Sequence, residues 1–67
     1  MSRLWACQGC HNIRIITTEN KSFCGYPVVV NDEDETESGE VELTLELSDG
    51  TFVGFADSEI KTLDILN

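Results

Sequence analysis

The chain has 67 residues, 40% of them hydrophobic, and thirteen Asp and Glu against four Lys and Arg give a formal charge of −9. This length allows one domain at most, and so short a chain buries only about 60% of the surface that it exposes when unfolded. The charge argues against a nucleic-acid-binding or anionic-membrane surface, since both call for a basic patch. No apolar run approaches the roughly 18 residues of a membrane span, and residues 1–7 lack the apolar stretch of a signal peptide. We therefore expect one acidic, intracellular domain over residues 1–67.

The cysteines lie in the N-terminal part, at Cys7, Cys10 and Cys24. An odd number of cysteines without a secretory signal predicts reduced thiols and a cytoplasmic or nuclear location. The spacing is C-x2-C and then, after thirteen residues, Cys24, which matches the first three ligands of a zinc ribbon. A full ribbon would have a fourth cysteine at position 27, where this chain has Pro27. The only histidine, His11, is the obvious remaining donor.

Two interpretations of these residues stay open. In the first, Cys7, Cys10, Cys24 and His11 hold one Zn²⁺, and Gly9 supplies the permissive backbone of the tight turn between the first two thiolates. A metal would stabilise a chain whose core is small, although joint ligation by two adjacent residues is geometrically awkward. In the second interpretation, the three thiols are buried as small apolar side chains.

Residues 1–30 are predicted to hold the cysteines on short strands. Residues 4–7 would form a strand that enters the first cysteine turn, and residues 13–18 form a strand because β-branched side chains dominate them. Residues 23–27 would be the second cysteine turn or its remnant. Residues 28–30, three valines, would be a strand too apolar to face water.

Residues 31–40 form an acidic segment without a base; its carboxylates are Asp32, Glu33, Asp34, Glu35, Glu37 and Glu40. Such a segment repels itself and lacks apolar side chains, so we predict a solvated, mobile loop. Closely spaced carboxylates can also imitate the charges of a nucleic-acid backbone or dock on a basic protein. The candidate partner-binding residues of this segment are Asp32, Glu33, Asp34 and Glu35.

Residues 41–56 predict a β-hairpin, because apolar and polar side chains alternate before the strong turn signal Asp49-Gly50. A two-residue turn and a three-residue loop give registers that differ by one residue. The three-residue loop has a left-handed Gly50 and pairs Leu47 with Thr51. Only this register puts six apolar side chains on one face, so we predict a bulged hairpin; the face consists of Val41, Leu43, Leu45, Leu47, Val53 and Phe55.

Residues 57–67 predict a short C-terminal helix. Asp57 or Ser58 can cap it, and its apolar side chains recur at three-residue steps, at Ile60, Leu63 and Leu66. So short a helix is unstable alone, so we expect its apolar stripe to pack on the sheet or on a partner. Extended structure over residues 63–66 is the competing interpretation.

The order of these features resembles the zinc-ribbon-bearing OB folds, such as the C-terminal domain of the replication protein A large subunit and related genome-maintenance subunits. In those proteins a ribbon is followed by a strand, an Asp-Gly-Thr hairpin, a strand and a helix. The matching stretches here are Cys7-x2-Cys10, Cys24, residues 47–51 and residues 57–66. The fourth cysteine and the strands that follow the helix are missing. The resemblance implies a minimal OB-like module that is used for protein contacts.

The sequence thus predicts a mainly β fold: a small antiparallel sheet with a zinc-ribbon-like knuckle, a bulged Asp-Gly hairpin and a short C-terminal helix, partly OB-like. One histidine, no glycine-rich phosphate loop and no framed pair of carboxylates predict that the protein is not an enzyme. In the bulged register Phe52 lies on the outer face, where it is either exposed to a partner or covered by the N-terminal part.

We expect a protein-interaction module that docks into a larger assembly, such as one that processes nucleic acids, through Phe52, the Ile60–Leu63–Leu66 stripe and the acidic segment. The first alternative is an acidic inhibitor or nucleic-acid mimic, for example of viral origin, that blocks a basic groove of a partner protein. The second is an OB-like binder of single-stranded nucleic acid, which the net charge disfavours. Neither a nucleic acid nor a membrane is expected as the direct partner.

Overall fold

The structure, a computed structural model, describes residues 2–66. The strands in this part of the chain are Ile13–Thr17 (β1), Ser22–Asn31 (β2), Glu42–Glu46 (β3), Phe52–Ala56 (β4) and Ile60–Ile65 (β5). They form one antiparallel sheet of five strands in the order β4-β3-β2-β1-β5. The predicted mainly β fold is confirmed. Short 3₁₀ helices lie at Arg3–Cys7, Glu33–Glu35 and Asp57–Glu59, and no helix within residues 2–66 is long and apolar enough to cross a membrane.

The two edge strands of this sheet, β4 and β5, are joined directly by the short turn Asp57–Glu59. In a flat sheet, four strand spacings of about 4.8 Å would hold these edges about 19 Å apart. The link from Ala56 to Ile60 spans at most about 14 Å when fully extended, and about 8 Å as a 3₁₀ turn. The sheet must therefore curl, so that it has a concave inner face and a convex outer face.

The core lies on the inner face. Alternate residues of β1 and β3 are fully buried there, and the rings of Phe23 and Phe55 contact each other with centroids 5.2 Å apart. The core residues are Leu4, Cys7, Ile13, Ile15, Val30, Val41, Leu43, Leu45, Phe55 and Ile60. Since each strand alternates its side chains between the faces, residues next to these core positions form the outer face.

The N-terminal segment closes one end of this core. It does so as a short helix, so the strand predicted for residues 4–7 is wrong. Arg3–Cys7 is a 3₁₀ helix whose first turn is capped by Ser2, because the Oγ of Ser2 accepts a hydrogen bond from the N–H of Leu4 at 3.2 Å. Residues three apart lie above one another in a 3₁₀ helix, which is why Leu4 and Cys7 are both fully buried. The helix is held against the β4–β5 link, where Ser2 Oγ donates to Asp57 Oδ2 at 2.8 Å and Arg3 Nε lies 3.3 Å from Asp57 Oδ1.

Strand β2 is long enough to pair with two different strands, one after the other. Because residues 23–27 belong to this strand, the second cysteine turn predicted there is wrong. The first half of β2 pairs with β1 and its second half with β3. Val28 and Val29 together lie opposite Thr44, which makes a β-bulge just after Pro27. A bulge tolerates proline and bends the strand, so both valines face outward. The expectation that residues 28–30 avoid water holds only for Val30, which is buried.

The predicted hairpin register is confirmed. The pairs between β3 and β4 are Glu42↔Ala56, Leu43↔Phe55, Thr44↔Gly54, Leu45↔Val53 and Glu46↔Phe52. The N–H of Leu47 donates to the carbonyl of Thr51 at 2.8 Å, and Gly50 has φ +88°. The N–H of Thr51 donates to Asp49 Oδ1 at 3.0 Å, and this bond lowers the pKa of the Asp49 carboxyl. All six apolar residues predicted for one face lie in the core or pack against it.

The predicted C-terminal helix is wrong. Asp57–Glu59 makes one 3₁₀ turn, and Ile60–Ile65 is an edge strand that pairs with β1. Thr62 lies opposite Ile16 but Ile60 lies opposite Thr17, so the strand contains one extra residue at this point. This bulge returns Ile60 to the face of Leu63, and a strand thereby acquires a three-residue apolar step that imitates a helix. The competing interpretation is extended structure over residues 63–66. It is confirmed as far as Ile65, where β5 ends.

The acidic segment leads from β2 to β3 and contains the 3₁₀ turn Glu33–Glu35. Its last part is fastened to the β4–β5 link, since the N–H and Oγ of Ser58 donate to the two carboxylate oxygens of Glu40, each at 2.9 Å. The hydroxyl of Thr36 donates to the carbonyl of Glu40 at 2.7 Å. The segment thus lies across the same end of the sheet as the N-terminal 3₁₀ helix.

Candidate functional site

The predicted zinc ligands do not converge. Cys7 is fully buried in the core, and Cys10 follows in a turn closed by a 3.0 Å hydrogen bond from its N–H to the Cys7 carbonyl. Gly9 has φ +83° in this turn, as the sequence predicts. Burial first, and the neighbouring Cys10 second, raise the pKa of the Cys7 thiol.

Cys24 lies on the other side of the sheet. It is exposed on β2, opposite Arg14 of β1, whose guanidinium pairs with Asp64 at 3.1 Å. The sheet therefore separates Cys24 from Cys7, and within residues 2–66 no group of three or more His, Cys, Asp and Glu side chains could hold a metal ion. The donors do not fit a zinc ribbon here, and zinc binding stays a prediction without support from the geometry. Burial of all three thiols is not observed either, since only Cys7 is buried.

Single serine substitutions test this arrangement of thiols. We expect Cys7→Ser to lower the free energy of unfolding by about 1–3 kcal/mol, because it buries a hydroxyl in an apolar core. Cys24→Ser should change it by less than about 0.5 kcal/mol, because the side chain is exposed. Urea denaturation with and without a chelator measures both, and native mass spectrometry counts bound metal. Equal, chelator-sensitive losses for the two variants would show that the thiols share a metal.

The outer face of the sheet carries a group of exposed apolar side chains, which we name the outer patch: Tyr26, Val28, Val29 and Phe52. Their exposed fractions lie between 42% and 61%, with Phe52 the most exposed. The register places them close together, because Tyr26 and Phe52 lie in one row across β2, β3 and β4. Val29 lies in the next outward-facing row, which ends at Gly54, where a side chain is missing and the space is open.

A carboxylate lies in the middle of the first row. Glu46 of β3 is the direct neighbour of Tyr26 on one side and of Phe52 on the other. It is half-buried, and it also lines a surface cleft of about 400 Å³ together with Tyr26, His11 and Ser48. The rings of His11 and Tyr26 have centroids 6.4 Å apart. Of the predicted metal ligands, His11 and Cys24 both line this cleft.

A second cleft, of about 560 Å³, lies where the acidic segment meets the N-terminal helix. Carboxylates of Asp32, Glu33, Glu40 and Asp57 line it, beside the indole of Trp5. Of the four acidic residues predicted to bind a partner, Asp32 and Glu33 belong to this cleft. Asp34 and Glu35 are exposed on the 3₁₀ turn outside it.

The apolar residues predicted to bind a partner are divided by the fold. Phe52 is exposed, as the sequence predicts for one of its two alternatives. Ile60 is buried and Leu63 packs against the core, so neither is accessible; Leu66 is about half exposed, but beyond the end of β5. Tyr26, Val28 and Val29 were not predicted, although the alternation of β2 gives a signal for Tyr26.

Comparison with protein-family models, with curated proteins and with solved structures finds no match to this chain. The resemblance to zinc-ribbon-bearing OB folds therefore stays a prediction.

Proposed function

We propose that the protein is a non-enzymatic interaction module that docks on a partner protein through the outer patch. The observation that supports this most is the grouping of four exposed apolar side chains on one face, three on β2 and one on β4, with Glu46 and Thr44 of β3 between them. Single exposed apolar residues are ordinary on protein surfaces, whereas several on one face, with an aromatic residue on each of two strands, are typical of an interaction site. Tyrosine and phenylalanine are also enriched in protein interfaces.

The packing of the core supports the same proposal, because no residue of the outer patch belongs to it. The inner face of the curled sheet is filled by its own side chains, so the core needs nothing from the outer patch. Exposing large apolar side chains on a sheet invites aggregation, and a chain retains them at low cost only if they serve a contact. All three cysteines are unpaired in the structure, which supports a reducing, intracellular location as part of the proposal.

Affinity capture with matched variants tests the proposal. Wild-type protein, the Tyr26→Ser/Phe52→Ser variant and the Ile65→Ser/Leu66→Ser variant are immobilised and exposed to a lysate of the organism that encodes the chain. The control pair is about as exposed as Tyr26 but lies outside the outer patch. We expect the patch variant to lose a protein that the wild type and the control retain. Equal capture by all three proteins would contradict docking through the outer patch.

The acidic cleft supports a second candidate, in which the protein occupies a basic groove as a nucleic-acid mimic. The supporting observation is that four carboxylates line one cleft. The test neutralises five acids of the acidic segment together: Asp32→Asn, Glu33→Gln, Asp34→Asn, Glu35→Gln and Glu37→Gln. A mimic should lose binding in this variant and show steep salt dependence in the wild type. We expect docking through the outer patch to persist, within about threefold in affinity, because rim charges contribute little to a mostly apolar contact.

A further inference from the structure

Glu46 is a carboxylate that the fold leaves without a counter-charge. The salt bridges among residues 2–66 are Arg3–Asp57 and Arg14–Asp64, and neither involves Glu46. Its neighbours in the row, Tyr26 and Phe52, are aromatic and carry no positive charge. Glu46 is half-buried, and no buried side-chain oxygen among the described residues lacks a hydrogen-bond partner, so its carboxylate is in contact with water that a donor from a ligand can replace.

The spacing of the row suits a single side chain. Tyr26 and Phe52 are two strand spacings apart, about 9.5 Å between their backbones, with Glu46 midway. Both aromatic side chains are about half exposed or more, so their rings are accessible on either side of the carboxylate. A cation placed on Glu46 would therefore be within reach of two ring faces, each of which attracts positive charge.

We infer that Glu46, Tyr26 and Phe52 bind an arginine side chain of the partner protein; this inference rests on the proposed docking function. Arginine fits better than lysine, because its planar guanidinium stacks on aromatic rings and pairs with a carboxylate through two parallel hydrogen bonds. The stem of the arginine would lie along the outer patch beside Val29. The cleft next to Glu46 gives the side chain a path of approach from the side of Ser48.

Charge complementarity selects a basic partner over a second copy of this chain. Each copy has a formal charge of −9, so self-association through this face would bring two strongly negative surfaces together. The four basic residues are also poorly placed to serve as the guest: Arg3 and Arg14 are in salt bridges, Lys61 donates to Asn20 at 3.1 Å, and Lys21 lines a groove beside β4. The occupant is therefore a basic side chain from a different protein.

The test uses short peptides as probes and two matched variants of the protein. The peptides are acetyl-Val-Arg-Val-amide and its citrulline counterpart, which has the same shape without the charge. The variants are Glu46→Gln and Glu42→Gln. Both residues face outward on β3, and each substitution removes one charge. Glu42 is the control because its neighbours are Asn31 and Ala56 rather than aromatic residues. Binding is followed by NMR through the ring protons of Tyr26 and Phe52.

We expect the arginine peptide to shift both sets of ring protons, and the citrulline peptide to bind about tenfold more weakly, since a charge-assisted hydrogen bond is lost. Glu46→Gln should weaken binding of the arginine peptide to the same degree, whereas Glu42→Gln should weaken it by less than twofold. If Glu46→Gln and Glu42→Gln behave alike, or if citrulline binds as well as arginine, the arginine site is wrong. The docking function is tested separately, by whether the Tyr26→Ser/Phe52→Ser variant captures a partner as well as the wild type does.

Discussion

Gly25→Ala should unfold the protein or leave it barely stable. Gly25 lies in β2 at the point where the strand exchanges β1 for β3 as its partner, and it is half-buried. A Cβ there would overlap the carbonyl oxygen of Glu46 and lie 3.3 Å from the Leu45 Cγ. The obstacle is backbone in the centre of a sheet, which cannot move aside as a side chain can. We expect a loss of about 3 kcal/mol or more in the free energy of unfolding, measured by urea denaturation.

The matched control is Gly54→Ala, the same chemical change in the edge strand β4. No atom lies within 4 Å of a Cβ built at Gly54, and the residue has no positive φ. The free energy of unfolding should change by less than about 0.5 kcal/mol, and the reduced freedom of the unfolded chain favours a small gain. Equal losses from the two variants would mean that β2 and β3 do not approach each other as described.

Leu45→Ala should remove most of the free energy of unfolding of a domain of this size. Leu45 is fully buried at the centre of β3, between β2 and β4. Truncating a fully buried leucine costs about 2–5 kcal/mol, and small domains have only about 0.05–0.15 kcal/mol of stability per residue. We expect a melting transition lowered by roughly 10 °C or more, measured by thermal denaturation followed by circular dichroism.

The control for this prediction is Leu66→Ala, the same truncation at a position that is 47% exposed. It should lower the melting temperature far less, because the side chain already contacts water in the folded state. If Leu66→Ala destabilises the protein as much as Leu45→Ala does, the C-terminal apolar residues form a packed stripe after all, and the strand β5 is wrong.

The hairpin was predictable from the sequence because its two signals are local and agree. Alternation of apolar and polar residues fixes which face is buried, and Gly50 fixes the loop that sets the register. Leu43 and Leu45 are therefore opposite Phe55 and Val53, as expected. Both signals lie within one hairpin, so no knowledge of distant contacts was required.

The C-terminal strand and the N-terminal helix were not predictable in the same way. The bulge at the start of β5 gives Ile60 and Leu63 a spacing that the sequence cannot distinguish from a helical one. The N-terminal helix depends on contacts of Ser2 and Arg3 with Asp57, more than fifty residues away in sequence. In both cases tertiary contacts outweigh local propensity.

The candidate site was predicted in part. Phe52 follows from the hairpin register, whereas Tyr26 lies in the segment predicted as a second cysteine turn. Val29 lies in the segment predicted as a strand too apolar to face water. The spacing of cysteines along the chain does not reveal which face of a sheet each one occupies. Only the pairing of β2 with β1 shows that Cys24 faces outward, on the same face as Tyr26.

Site-specific photo-crosslinking at Phe52 tests most directly whether the outer face of the sheet is where this protein meets its partner. p-Benzoylphenylalanine replaces Phe52 in one sample and Ile65, which is exposed elsewhere, in the other. After irradiation in the cells that produce the chain, we expect one discrete protein adduct from position 52 and none of the same mass from position 65. An adduct with nucleic acid, or no adduct from position 52 beyond that from position 65, would contradict the account.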